Sequence, residues 1–180
     1  ARTVTARFNT TTVGKTALTL YKAGMGLGTV TSTPAGINCG PTCPASVFNF
    51  ATGATVVLNA VETTGSTFTG WTGCTVDPNN RRQCTVVLNT GKVVSATFNR
   101  PVLTVRKVGS GLVVNRPDGI FCGTDCTEPY NLNTVATLIA IPATGYRFNG
   151  WSGCTADLGF PQMCTVRMNQ STTATASFIR

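Results

Sequence analysis

The chain has 180 residues, a net charge of +8 and no histidine. Without histidine, Ser-His-Asp and Cys-His catalysis and most catalytic zinc sites are excluded, and no apolar run approaches the 18–20 residues of a membrane-spanning helix. Abundant Thr, Gly, Val and Asn, with no long Glu/Lys/Ala-rich stretch, points to strands joined by tight turns and to little or no helix.

The first nine residues, Ala1–Asn9, read ARTVTARFN and place Val4, Ala6 and Phe8 on one side of an extended chain. The same pattern returns at Val93–Asn99 and Thr173–Ile179. Residues 1–9 are therefore expected to be the terminal strand of a preceding repeat, and 10–16 a short polar linker.

From residue 17 the chain is written twice. Cys39, Cys43, Trp71, Cys74 and Cys84 recur as Cys122, Cys126, Trp151, Cys154 and Cys164. The offset is 83 for the first two members (122 − 39, 126 − 43) and 80 for the rest (151 − 71, 154 − 74, 164 − 84). A duplicated framework implies two structural units, expected over 17–99 and 100–180. Period-two alternation survives in both copies. Leu18 and Leu20 correspond to Leu103 and Val105, and Val56, Leu58 and Ala60 to Ala136, Leu138 and Ala140. Cys84, Val86 and Leu88 correspond to Cys164, Val166 and Met168, and Val94, Ala96 and Phe98 to Ala174, Ala176 and Phe178. Each such strand should have one buried and one wet face.

Turn residues separate these runs at 24–28, Pro34-Ala35-Gly36, Thr52-Gly53, Thr64-Gly65 and Asn89-Thr90-Gly91. The pattern predicts six or seven short strands per copy, antiparallel throughout. A single helical turn fits only near Cys39–Cys43 or within Asp77–Gln83.

Units of roughly 80 residues bury only about 60–65% of their unfolded surface, so cross-links are the usual remedy. Eight cysteines, four per copy, read as disulfides formed in an oxidising compartment. Four cysteines allow three pairings. Local spacing favours Cys39–Cys43, Cys74–Cys84, Cys122–Cys126 and Cys154–Cys164. Two tetrathiolate zinc sites are the competing reading, but gaps of three and nine residues do not suit Cys-x2-Cys knuckles.

The copies diverge most inside the second cysteine loop, where Asp77-Pro78-Asn79-Asn80-Arg81-Arg82 faces Asp157-Leu158-Gly159-Phe160-Pro161-Gln162. An aspartate early in such a loop caps its own backbone through an Asx-turn. Calcium would need six to eight oxygen ligands, and one acid per loop does not supply them. Trp71 and Trp151 have two readings: anchors of small cores beside a disulfide, or sugar-stacking platforms on an exposed sheet. With the unrepeated Arg81, Arg82 and Phe160, they are the candidate ligand contacts. The basic residues are otherwise scattered. They serve solubility or an anionic polymer, and no dense stripe with interleaved aromatics suggests specific nucleic-acid binding. Asp118, Asp125 and Glu128 cluster in the second copy, but the first copy has Ala35 and Thr42 at the first two positions. No carboxylate pair suited to glycoside hydrolysis is therefore repeated. Nothing in the sequence calls for a catalytic residue, a metal or a cofactor.

The combination Gly-Trp-x-Gly-Cys (Gly70–Cys74, Gly150–Cys154), with Pro34–Cys43 upstream and a closing Ala-Thr-Phe, resembles the divergent internalin B-repeat family, also called bacterial repeat domains. The resemblance covers 17–99, 102–179 and the strand at the start. It implies a secreted or cell-surface bacterial protein with tandem β-rich repeats, either β-grasp-like or a small sandwich. It carries no catalytic motif. Two function classes stay in play: a structural or adhesive module (stalk, filament segment, adhesin arm) and a binding module for glycans or anionic surface polymers. An accessory segment of a secreted hydrolase is a third. The expected partners are neighbouring repeats or copies of itself, with extracellular polysaccharide or a host or cell surface as the alternative. In a self-assembling variant, Thr3–Phe8 would add to an open sheet edge of a neighbouring molecule.

Overall fold

The computed structural model describes residues 14–116 and 119–180. The strand expected at 1–9, most of the 10–16 linker and Asp118 lie outside the described residues. The chain divides into two compact units, one holding Thr29–Val61 and Gly70–Ala96 with the strand that ends at Ala23, the other holding Gly24–Gly28, Glu62–Thr69 and Thr97–Arg180.

The first repeat contains β1 (Lys15–Ala23), β2 (Gly28–Thr33), β3 (Asn38–Cys39), β4 (Ala45–Ala51), β5 (Thr55–Glu62), β6 (Thr67–Thr72), β7 (Thr75–Val76), β8 (Gln83–Val87) and β9 (Lys92–Asn99). The second contains β10 (Val102–Val108), β11 (Gly111–Arg116), β12 (Thr127–Pro129), β13 (Val135–Pro142), β14 (Arg147–Ser152), β15 (Thr155–Ala156), β16 (Met163–Arg167) and β17 (Thr172–Ile179). Setting aside the two-residue strands β3, β7 and β15 leaves seven in each repeat, within the six or seven expected. Among the described residues there is no helix, and the two places where a helical turn could fit are plain turns.

Each repeat is a two-layer sandwich. In the first, sheet β4-β1-β9-β6 accompanies sheet β3-β2-β5-β8-β7; in the second, β12-β10-β17-β14 accompanies β11-β13-β16-β15. The reason lies in the alternation: every residue expected to point inward does so, from Leu18 and Leu103 to Phe98 and Phe178. In the second repeat these side chains join one core drawn from both sheets, in which Leu103, Val105, Ala176 and Phe178 meet Val113, Leu138, Val166 and Met168. A helix to cover the sheet, as a β-grasp requires, is not part of this core.

Antiparallel pairing throughout does not hold. β10 lies parallel to β17, with Leu103 opposite Thr172 and Val108 opposite Ser177. Between β10 and β17 the chain crosses to the opposite sheet and back three times, by way of β11, of β13 and of β15 with β16. Parallel neighbours need such a long crossover, and local turn chemistry cannot reveal it.

All four local disulfides form: Cys39–Cys43, Cys74–Cys84, Cys122–Cys126 and Cys154–Cys164, with Cα–Cα separations of 5.3, 5.9, 4.3 and 5.9 Å. Cys84 and Cys164 are fully buried, so the longer links tie a surface loop to the core. The Gly-Trp-x-Gly-Cys motif has a steric basis here. Gly73 and Gly153 have φ of +81° and +76°, and a Cβ at either would collide with the carbonyl oxygen of Val93 or Thr173. Only glycine lets the loop pass so close to the closing strand.

Candidate functional site

The second cysteine loop of each repeat is built on one plan. Asp77 Oδ1 accepts the backbone N–H of Asn79 at 2.8 Å and of Asn80 at 3.3 Å. Asp157 Oδ1 accepts those of Gly159 at 2.8 Å and Phe160 at 2.9 Å. These are the expected Asx-turns, and each aspartate uses one oxygen to close its own loop. Around them the main-chain bonds repeat. Asp77 N donates to Gln83 O (3.0 Å) and Asp157 N to Met163 O (2.9 Å). Gln83 N donates to Asn80 O and Met163 N to Phe160 O, both at 2.8 Å. Ala60 N donates to Arg82 O (2.9 Å) and Ala140 N to Gln162 O (2.8 Å), tying each loop to the long middle strand of its sheet.

On this common frame the side chains differ. In the first repeat Trp71 belongs to the core at 8% exposure, while Arg81 and Arg82 project into solvent. In the second, Trp151 is only half-buried. Its ring lies 5.6 Å from that of Phe148, and its indole N–H donates to Gln162 O at 3.1 Å. The loop above it exposes Leu158 completely and Phe160 by 67%. Phe148, Trp151, Asp157, Leu158 and Pro161 line an open groove of about 450 Å³ beside β14. The indole thus has one edge packed against the core and one in this groove, whereas Trp71 is a core residue.

Sequence reasoning picked Trp151 and Phe160 but missed Phe148, Leu158 and Pro161. The available signal was the replacement of Pro78 and Arg81 by Leu158 and Pro161, apolar residues where a loop has no core to fill. Phe160 stands at the loop tip and is not among the groove's lining residues. Of the acidic cluster, Asp125 and Glu128 are among the described residues. Asp125 Oδ1 accepts the Thr127 N–H at 3.2 Å, and Glu128 sits on a strand edge next to Tyr130. Among the described residues no group of three or more His, Cys, Asp or Glu is placed to hold a metal ion.

A second local contrast lies under the first cysteine turn. Ser32 Oγ accepts the Ile37 N–H at 2.8 Å in the first repeat. Asn115 Oδ1 does the same for Ile120 N at 2.6 Å in the second, while its amide nitrogen donates to the buried Tyr130 hydroxyl. Burial, and then the charge of Glu128, push the Tyr130 phenol up to about 12.

No curated protein matches the sequence. Among solved structures the chain is similar to the Bacillus anthracis TIE protein, with a TM-score of 0.39, 10% identity and 91% of this chain covered; the chain spans 33% of that one. It is also similar to the major pilin protein T-13 of Streptococcus pyogenes, with a TM-score of 0.39, 10% identity, and 93% and 98% of the two chains covered. A third is the shaft pilin spaA of Lactobacillus rhamnosus GG, with a TM-score of 0.28, 8% identity, and 92% and 98% covered. Likenesses this distant carry no functional argument. The family model of the divergent InlB B-repeat domain, in contrast, matches residues 19–101 and 112–180. The chain therefore belongs to the divergent InlB B-repeat family, as two copies in tandem.

Proposed function

We propose that this chain is a non-catalytic structural or adhesive module of a secreted or cell-surface bacterial protein, a stalk, filament segment or adhesin arm whose units are 17–99 and 100–180. One observation carries the reading: the two copies share their core positions, disulfides and loop hydrogen bonds and diverge in what they display. Core positions, two disulfides and the loop hydrogen bonds are duplicated, whereas the exposed side chains of the second cysteine loop are not. A reaction centre would require the opposite, a fixed set of functional groups on a tolerant frame. Local disulfides on small sandwiches also suit an oxidising exterior. The test is binding. Glycan arrays and pull-downs on anionic polysaccharides should give no saturable binding for the wild-type chain.

A second reading, a glycan-binding module, is favoured by the groove at Trp151. A half-buried indole beside Phe148 and a fully exposed Leu158 offers an apolar platform with one carboxylate, Asp157, at its margin. Saturable binding that Leu158→Ser abolishes would overturn the structural reading in favour of this one. Leu158 contributes nothing to the core, so the substitution leaves the fold intact.

A further inference from the structure

The outer strands of the two β1-type sheets differ in what can pair with them. Leu18 of β1 faces Phe48 of β4, and the equivalent Leu103 of β10 faces Glu128 of β12. Val47, Phe48, Asn49 and Phe50 therefore stand where the second repeat has Thr127, Glu128, Pro129 and Tyr130. Lys22 N donates to Pro44 O and Thr52 N to Gly14 O, so the even-numbered residues of β4 turn their backbone toward β1. By the antiparallel alternation, the N–H and C=O groups of Ala45, Val47 and Asn49 point away from β1. Among the described residues β4 has a sheet neighbour on one side only.

Nothing on β4 discourages a further strand. It runs seven residues, Ala45-Ser46-Val47-Phe48-Asn49-Phe50-Ala51, without charge or proline. Val47 is 61% exposed and Phe48 40%. The second repeat is built the other way. Its outer strand is three residues long and carries Glu128. Val105 N donates to Cys126 O and Tyr130 N to Pro101 O, which turns Thr127 and Pro129 outward, and Pro129 has no N–H to offer. Shortness, charge and proline are the usual means of closing a sheet edge, and the second repeat uses all three where the first uses none.

We propose that β4 is a strand-pairing site for a second copy of this chain. The two β4 strands meet antiparallel about a two-fold axis at Phe48, joining two four-stranded sheets into one of eight. In this register Val47 of each copy exchanges hydrogen bonds with Asn49 of the other, and every contact is made twice. Phe48 meets its own copy at a non-hydrogen-bonded position, where side chains come closest. Its ring already lies 4.7 Å from that of Phe50, so the partner ring extends an existing aromatic row. The chemistry selects a second copy over other partners. A polyanion drawn by the +8 chain finds no Lys or Arg on β4. A charged peptide finds nothing complementary, while Val-Phe-Asn laid against itself opposes no like charges. Because the rest of each molecule is positive, pairing should strengthen as salt screens the repulsion.

This inference rests on the structural reading only in taking another copy as the partner. Saturable glycan binding would overturn that reading and leave the pairing standing; a monomer would overturn the pairing alone. The experiment is sedimentation equilibrium on the full chain, with Asn49→Pro and Phe48→Glu, which write the second repeat's edge onto the first. Wild type should show a concentration-dependent dimer whose fraction rises with salt. Each variant should weaken it by about tenfold or more, roughly 1.4 kcal/mol. Should either variant misfold by circular dichroism, Phe48→Cys supplies the second reading. Its Cα atoms would lie about 4.5 Å apart across the axis, within disulfide range, so it should cross-link on oxidation while Val47→Cys should not. A monomeric wild type at its highest soluble concentration, undiminished dimers in Asn49→Pro, or equal cross-linking of the two cysteine variants would overturn the proposal.

Discussion

The two repeats place the same backbone around different surfaces, and the second cysteine loop makes the contrast plainest. Asp77 and Asp157 close their loops with the same pair of bonds, and the neighbouring main-chain bonds agree within 0.1 Å. Yet one loop presents Arg81 and Arg82, the other Leu158 and Phe160. A disulfide to a buried cysteine and one aspartate are enough to fix the loop, so its tip is free to vary. The outer strands tell a similar story. The sheet needs a strand beside β1 or β10, but its outward side answers to solvent and partners alone.

The tryptophans should separate the repeats most. Trp71→Ala removes a core residue and is expected to destabilise the first repeat by about 3–5 kcal/mol, whereas Trp151→Ala, with part of its ring already in the groove, should cost its repeat about 2 kcal/mol. Urea unfolding followed by far-ultraviolet circular dichroism measures both. Equal losses would mean that the groove face of Trp151 is as well packed as the core.

Disulfides should show the opposite, a shared dependence. Replacing Cys74 and Cys84, or Cys154 and Cys164, by Ala should each cost about 2–3 kcal/mol, because both links close loops of the same length. The aspartates should act alike on a smaller scale. Asp77→Ala and Asp157→Ala are each expected to cost about 1 kcal/mol, the net worth of the loop-closing bonds. Calorimetry of the paired variants tests both expectations, and a clear inequality within either pair would break the common loop plan.

The smallest effect at neutral pH is one that vanishes there. Tyr130 is neutral in the folded chain and its phenol is pushed up to about 12 by burial and by Glu128, against 10.0 for the free side chain. Its contribution is complete below pH 10 and is lost as pH rises from about 10 through about 12, since unfolding then releases a proton the folded state retains. The first repeat has Phe50 at this position and should show no such loss from it. Melting curves between pH 9 and 12 should therefore weaken the second repeat, and Tyr130→Phe should remove that dependence.

The sequence by itself determined the duplication, the inward faces, the four local disulfides and the two Asx-turns. All of these are local or periodic, and a chain with period-two alternation has only one way to bury its apolar side. It could not determine that β10 runs parallel to β17, because nothing in either strand records which distant strand lies beside it. Nor could it say that Trp71 is enclosed while Trp151 borders a groove, since both stand in the same motif and their exposure is set by the side chains around them. The open edge at β4 was equally hidden. Asn49 and Pro129 become equivalent only through their register against β1 and β10, which is a property of the sheet rather than of either segment.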